Sequence, residues 1–404
     1  MARAGLNLGR RWAIADGVCT APVGDHLLLG ECAGAHLRLL NPTAALIWNG
    51  LEDGVDAPGI ARELAGAFGI GFEQAIADVE GMLQAWEGAA LVQAHPRTLS
   101  APATAAPPST TISRHAIEVH CGHYCLGAKH FRIRYLAGPD IDDVGKSFIG
   151  RIAAMFAGFA GSGEADPLPT IEFCVGRSSS SVGYREGCWR GDSAMDAFVE
   201  LCSVLLQEAY GPFDWLCRLH AATLARDGAA IVMPAPAGDG KSTLAAYLAA
   251  SGWTYFADDT TTLDPHYRAL PLPTAIGLKA GSLSVLARFY PGLQVLPVHE
   301  YGDKAARYVA LDPARPAAAP LEVAAMVFPK YEAGGALSPR RLPAPEAAAR
   351  LMDAGIGLGT TLTPAKVEWL SRLVQRTPCW ALGYQSLPDA EAKLRAIANG
   401  SCAH

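Results

Sequence analysis

The chain has 404 residues, half of them apolar and 18% charged, with a formal net charge of −6. That balance suits a globular protein of two or three domains with ample core. No apolar run approaches the roughly eighteen residues that span a bilayer. The start, MARAGLNLGRRWAIADGVC, lacks a signal-peptide core because AIADGV is short and polar, so cytoplasmic residence is expected, with no membrane partner. Ten cysteines without a repeated spacing read as reduced thiols rather than a disulfide framework.

Strand-like runs come first: RWAIA, HLLLGEC and HLRLL. A helix is predicted from NPTAALIWNGL, where Asn41 can cap and Pro42 suits the first turn. DAPGIARELAGAFG makes a second helix, with Ile60, Leu64 and Phe68 four apart. GFEQAIADVEGMLQAWEGAALV makes a third. A small sheet plus three helices predicts a winged-helix-like α+β unit over residues 1–92. Many winged helices bind DNA, but residues 1–95 hold five Arg, no Lys and eleven acids, a net charge of −6. A phosphate backbone would be repelled, which excludes nucleic acid as a partner.

The phrase LLNPTAALIWNGLEDG, followed by IARELAGAFG and ADVEGMLQAW, resembles the PqqD family over about residues 10–92. Members of that family are peptide chaperones, the recognition elements of ribosomal peptide biosynthesis. The resemblance implies that a precursor's leader peptide joins the sheet edge as an added strand against the third helix.

Residues 93–115, including QAHPRTLSAPATAAPPSTTIS, are rich in Pro, Ala, Ser and Thr without apolar periodicity and read as a linker. Residues 116–211 read as an accessory α+β subdomain. AIEVHC, KHFRIRYL and TIEFCVG alternate like half-buried strands, and SFIGRIAAMFAGFAG and DAFVELCSVLLQEAYG are periodic helices. RSSSSVG reads as a loop. His120, Cys121, His123, Cys125 and His130 cluster in HCGHYCLGAKH, and a strand would put Cys121, His123 and Cys125 on one face. Their spacing matches no common structural zinc site, so an ordinary strand is preferred over metal.

Residues 212–404 carry the chemistry. In GAAIVMPAPAGDGKSTLAAYL, a buried strand Ala229–Met233 runs into a Gly/Pro-rich turn and then a helix from Lys241. This is the context of a phosphate-binding P-loop, in which turn and helix N–H groups converge on phosphate oxygens. Ala237, Gly238, Asp239, Gly240, Lys241, Ser242 and Thr243 would form it. Lys241 would reach the β/γ-phosphates and Ser242 would bind Mg²⁺. Ala235 stands where the usual pattern has its first glycine, which alanine tolerates only at negative φ. A second strand, Tyr255–Ala257, delivers Asp258 and Asp259 at its end, where α/β sheets place ligands. Such a pair can both ligate Mg²⁺ and deprotonate a hydroxyl.

LCRLHAATLARDGAAIVMPAPAGDGKSTL, GWTYFADD, TAIGLKAGS and AAMVFPKYEAGG resemble the HPr serine kinase family over about residues 212–397. The resemblance implies an α/β, ATP- and Mg²⁺-dependent kinase core. It places His220 near the transferring phosphate, makes Asp258 the base, and gives the metal to Ser242 and Asp259. Lys279, with Lys304 or Arg307, would contact the γ-phosphate. Joined, the two resemblances imply a kinase acting on Ser or Thr of a precursor peptide, and leave a homo-oligomer open. Two other readings stay open: a nucleotide-regulated peptide-binding protein without catalysis, and a kinase using a small molecule or pyrophosphate.

Overall fold

A computed structural model describes residues 12–32, 34–94, 116–161, 168–236, 238–301, 304–311, 319–332 and 338–400. It divides into two compact units. The first comprises residues 1–104, 343–352 and 358–376, and the second comprises 105–342, 353–357 and 377–404. The linker predicted at 93–115 falls almost wholly outside the described residues.

In the first unit, β1 (Trp12–Ile14) pairs antiparallel with β5 (Val92–Ala94). β2 (Val18–Val23), β3 (His26–Glu31) and β4 (His36–Leu40) form an antiparallel sheet in that order. α1 (Pro42–Glu52), α2 (Ala57–Phe68) and α3 (Phe72–Gly88) follow. The Asn41 side chain caps α1 by accepting from the Ala44 N–H at 2.9 Å, as the Asn-Pro start predicts. Asp56 caps α2 in the same way, and Gly69 ends it in the left-handed conformation. Leu27, Leu29 and Leu40 of the sheet share one core with Trp48, Ile60, Leu64, Val79 and Trp86. Phe68 departs from its predicted face: it lies in the last turn of α2 and is 45% exposed.

The opposite face of this sheet is partly covered by helices from far along the chain. These are α8 (Ala344–Asp353) and α9 (Pro364–Arg376), whose sequence position had put them with the 212–404 segment. Gly30 of β3 makes room for α9: a Cβ there would lie 2.6 Å from Val367 and 3.2 Å from Leu362. Ser371 Oγ and Gln375 Nε2 of α9 both donate to the Pro22 carbonyl of β2.

The second unit begins with β6 (Ile117–Leu126), β7 (Lys129–Ala137), α4 (Asp143–Phe156), β8 (Thr170–Val175), β9 (Ser180–Tyr184), β10 (Gly187–Gly191) and α5 (Ala194–Tyr210). Its five strands run in the order β10-β9-β8-β7-β6, packed on α4 and α5 through Phe131, Ile133, Phe156, Phe173 and Leu201. RSSSSVG is only partly a loop. Ser180 and Ser181 are buried and pair with Val175 and Cys174, because β9 must start there to match β8.

A larger sheet follows. It uses β11 (Cys217–Leu219), β12 (Ala221–Arg226), β13 (Ala229–Pro234), β14 (Thr254–Ala257), β15 (Thr261–Leu263), β16 (Arg268–Leu270), β20 (Leu321–Tyr331), β21 (Arg340–Arg341) and β22 (Cys379–Tyr384). The path is β11-β15-β16-β20-β13-β12-β14, with β22 also parallel to β20. β17 (Ile276–Leu278), β19 (Lys304–Val309) and β18 (His299–Tyr301) make a small separate sheet. α6 (Lys241–Ala250), α7 (Ala280–Leu286) and α10 (Leu387–Ala398) pack against these strands around Leu244, Leu248, Trp253, Val327 and Leu394. No helix among the described residues is long and apolar enough to cross a membrane. The nine described cysteines are all free.

Candidate functional site

β13 is buried along nearly its whole length and is flanked by β12 and β20, so its end is fixed. The chain then turns through residues 235–240 and enters α6 at Lys241. Positive φ falls on Gly238 (111°) and Gly240 (85°) and not on Ala235, which is buried and donates its N–H to the His220 carbonyl at 3.4 Å. Alanine is therefore compatible with this turn. No side chain caps the N-terminus of α6, which leaves that end suited to an anion. Ala237 lies outside the described residues.

The loop is braced from β20 and β22. The Tyr384 hydroxyl donates to the Gly240 carbonyl at 3.3 Å, and the Tyr331 N–H donates to the Asp239 carbonyl at 3.3 Å. The two tyrosine rings meet edge to face at 5.7 Å. Nothing local in the sequence signals these braces, since Tyr384 and Gly240 are far apart in the chain.

Lys241 is 5% exposed, and its Nζ lies 2.9 Å from His220 Nε2. His220 Nδ1 in turn lies 3.1 Å from the Asp259 carbonyl and 3.2 Å from Asp259 Oδ1. Nδ1–H donating to Asp259 leaves Nε2 to accept from the ammonium. Burial holds the Lys241 ammonium below its ordinary pKa, opposed by the charges of Asp258 and Asp259.

Asp258 is 3% exposed. Burial pushes its carboxyl up to about 6, against the attraction of Lys241, with repulsion from Asp259 adding and a hydrogen bond from Ser242 subtracting. Its Oδ1 is buried without a hydrogen-bond partner. Asp259 has φ of 69°, a left-handed conformation unusual for a non-glycine, and its half-exposed carboxylate faces His220.

Thr243 bonds Ser282 of α7 at 2.6 Å, and exposed Lys279 stands just before that helix without a capping bond, near enough to depress Lys241. Arg307 on β19 donates to the Leu296 carbonyl. Lys304 begins β19, and its side chain is outside the described residues. Unforeseen from sequence, Arg151 of α4 donates to the Tyr308 hydroxyl at 2.6 Å, and Tyr308 feels the charges of Asp259 and Asp258.

The His/Cys cluster forms ordinary strand contacts. His120 packs on Tyr135, Arg132 Nε donates to His123 at 3.3 Å, and Cys125 Sγ lies 3.9 Å from His130 Nε2. Among the described residues, no group of three or more His, Cys, Asp or Glu could hold a metal.

In the first unit, the two sheet edges differ. Pro22 supplies no N–H to the β2 edge and its carbonyl is taken by α9, so that edge is blunted. β4 pairs only with β3, which leaves the other edge of β4 without a strand among the described residues. Residues 34–92, which span β4 and α1 to α3, match the family of coenzyme PQQ synthesis protein D (PqqD). The N-terminal unit is PqqD-like. Among solved structures, TbiB1 in complex with the TbiA(beta) leader peptide is similar over 21% of this chain and 99% of that chain. The identity is 20% and the TM-score 0.20. No curated protein matches the chain.

Proposed function

We propose that the chain is an ATP- and Mg²⁺-dependent kinase for Ser or Thr of a ribosomally made precursor peptide whose leader docks on the PqqD-like unit. One observation carries the catalytic half: a buried lysine at a strand–turn–helix junction meets a histidine, two aspartates and a hydroxyl from three separate segments. A solvated structural turn has no use for a carboxyl held at about 6 with an orphaned oxygen. The donors fit a metal-bound triphosphate. Ser242 and Asp258 offer hard oxygens to Mg²⁺, while Lys241, the uncapped α6 N-terminus and exposed Lys279 offer positive charge to phosphate. When bound, Mg²⁺ supplies charge that offsets the phosphate oxygens.

His220 orients the Lys241 ammonium, because its Nδ1 side is fixed by Asp259. Asp259, the more exposed carboxylate and the one tied to His220, is the better placed to take a proton from an arriving hydroxyl. Asp258, bonded to Ser242 and buried, is the metal-side carboxylate. This exchanges the two roles that the kinase resemblance implies. Support for the docking half comes from the PqqD match and from the open β4 edge.

The test uses γ-labelled ATP and a Ser/Thr-containing peptide selected for binding to the full chain. Lys241→Ala should abolish label transfer with peptide binding unchanged. Asp258→Asn should raise the Mg²⁺ requirement, while Asp259→Asn should lower kcat at an unchanged Mg²⁺ requirement. Label transfer by Lys241→Ala at the wild-type rate would refute the kinase reading.

A further inference from the structure

β4 has a pleat that sends its residues to two different neighbourhoods. Leu40 stands opposite Leu27 and Arg38 opposite Leu29, so both lie on the side of α1 to α3, where Leu27, Leu29 and Leu40 are core. Leu39 stands opposite Leu28 and Leu37 opposite Gly30, so both lie on the side where Gly30 meets Val367 of α9. That second side is not closed. A cleft of about 810 Å³ opens there, walled by the β2–β3 turn, Leu39, α8 and the end of α9. The volume is within the ordinary range for ligand sites and holds several side chains. Its ionisable lining groups are Asp25, Glu346 and His26, with no Lys or Arg.

Asp25 is exposed and lies 2.7 Å from His26 Nδ1, which holds its carboxyl below the ordinary value. Glu346 pairs with Arg350 at 3.0 Å. Pro345 and Ala349 give the α8 wall a small, apolar surface. The cleft is continuous with β4 through Leu39. Its other walls, residues 24–26, 343–349 and 375, lie outside the 34–92 segment that matches PqqD.

We propose that this cleft is a second, side-chain-reading half of the peptide site. An extended peptide paired with β4 would send alternate apolar side chains between β4 and α8, and place a Lys or Arg against Asp25. The inference rests on the reading that a leader peptide joins the β4 edge. It follows from period two: every second residue of an added strand faces α1 to α3, and the rest must face the α8 side. An apolar floor with an acidic rim selects a basic peptide with apolar residues two apart. Helices from the far part of the chain thereby take part in choosing the peptide.

The probe is a peptide enriched from a displayed library of random 20-residue sequences on the full chain, then labelled for anisotropy. Hydrogen exchange of residues 36–40 reports edge pairing, and Ala349→Trp, on a half-buried helix position, fills the cleft. The expected result is slowed exchange at 36–40 on adding peptide, with Ala349→Trp weakening it roughly tenfold or more, the loss of one buried apolar side chain. Asp25→Asn should weaken binding less and flatten its salt dependence. Protection at 36–40 with Ala349→Trp binding within twofold of wild type would overturn the cleft proposal and leave the edge reading standing. No protection at 36–40 would overturn both. Replacing residues 97–113 with a Gly/Ser stretch of equal length should leave affinity unchanged. A large gain would assign the cleft to the chain's own segment and overturn the proposal.

Discussion

Gly240→Ala probes the turn before α6 through one added carbon. Gly240 sits at φ 85° and ψ 6°, where an L-residue costs about 1–2 kcal/mol. Its Cβ would stand 2.4 Å from the Tyr384 hydroxyl, far inside contact distance, and 3.4 Å from Tyr331 Cβ. Tyr384 is 1% exposed and packed in the core of the second unit, so its ring cannot swing clear. Displacing it also loses the hydroxyl's bond to the Gly240 carbonyl, worth about 1 kcal/mol. Together the substitution should cost about 2–3 kcal/mol, or roughly 4–12 °C in the unfolding of the second unit. Tyr384→Phe alone loses only the hydrogen bond. In Gly240→Ala/Tyr384→Phe the clash is gone while the backbone penalty stays, so the pair should be less destabilised than the sum by about 1 kcal/mol. Urea denaturation of the four proteins, followed by circular dichroism and tryptophan fluorescence, measures this cycle. Strict additivity, or Gly240→Ala within about 0.5 kcal/mol of wild type, would refute the account of Tyr384 as the brace of the loop.

Two further outcomes follow from the same geometry. The Asp258 carboxyl is raised from 3.8 to about 6 by burial. Its stabilising contribution is therefore whole below its unfolded value and is lost as pH rises through the folded one, a change of about 3 kcal/mol. In EDTA, the stability of wild type relative to Asp258→Asn should fall between about pH 4 and 6.5 and then level off; parallel curves would remove the buried-charge argument. Gly30→Val should destabilise the first unit by about 1–3 kcal/mol through overpacking against Val367, with partial rescue by Val367→Ala. A neutral Gly30→Val would mean that α9 does not press on β3.

Local chemistry was legible in the sequence because it is written in neighbouring residues. The Asn41–Pro42 start of α1, the buried strand and turn before Lys241, and the aspartates at the end of β14 are set by propensity, capping and apolar period alone. The acidic balance of residues 1–95, five Arg and no Lys against eleven acids, was likewise legible without any coordinates. What the tertiary structure decided was which surfaces meet. Apolar periodicity shows that α9 buries a face but not what that face covers, so its place on β2 and β3, in the gap left by Gly30, was invisible. Adjacent aspartates look interchangeable in sequence. A positive φ at Asp259 and the burial of Asp258 separate them, sending one to His220 and the other to Ser242. Tyr384 reaches Gly240 only because β22 lies beside β20 and β20 beside β13. Contacts of that kind are fixed by strand order, and strand order is settled by packing the whole sheet rather than by any local run of residues.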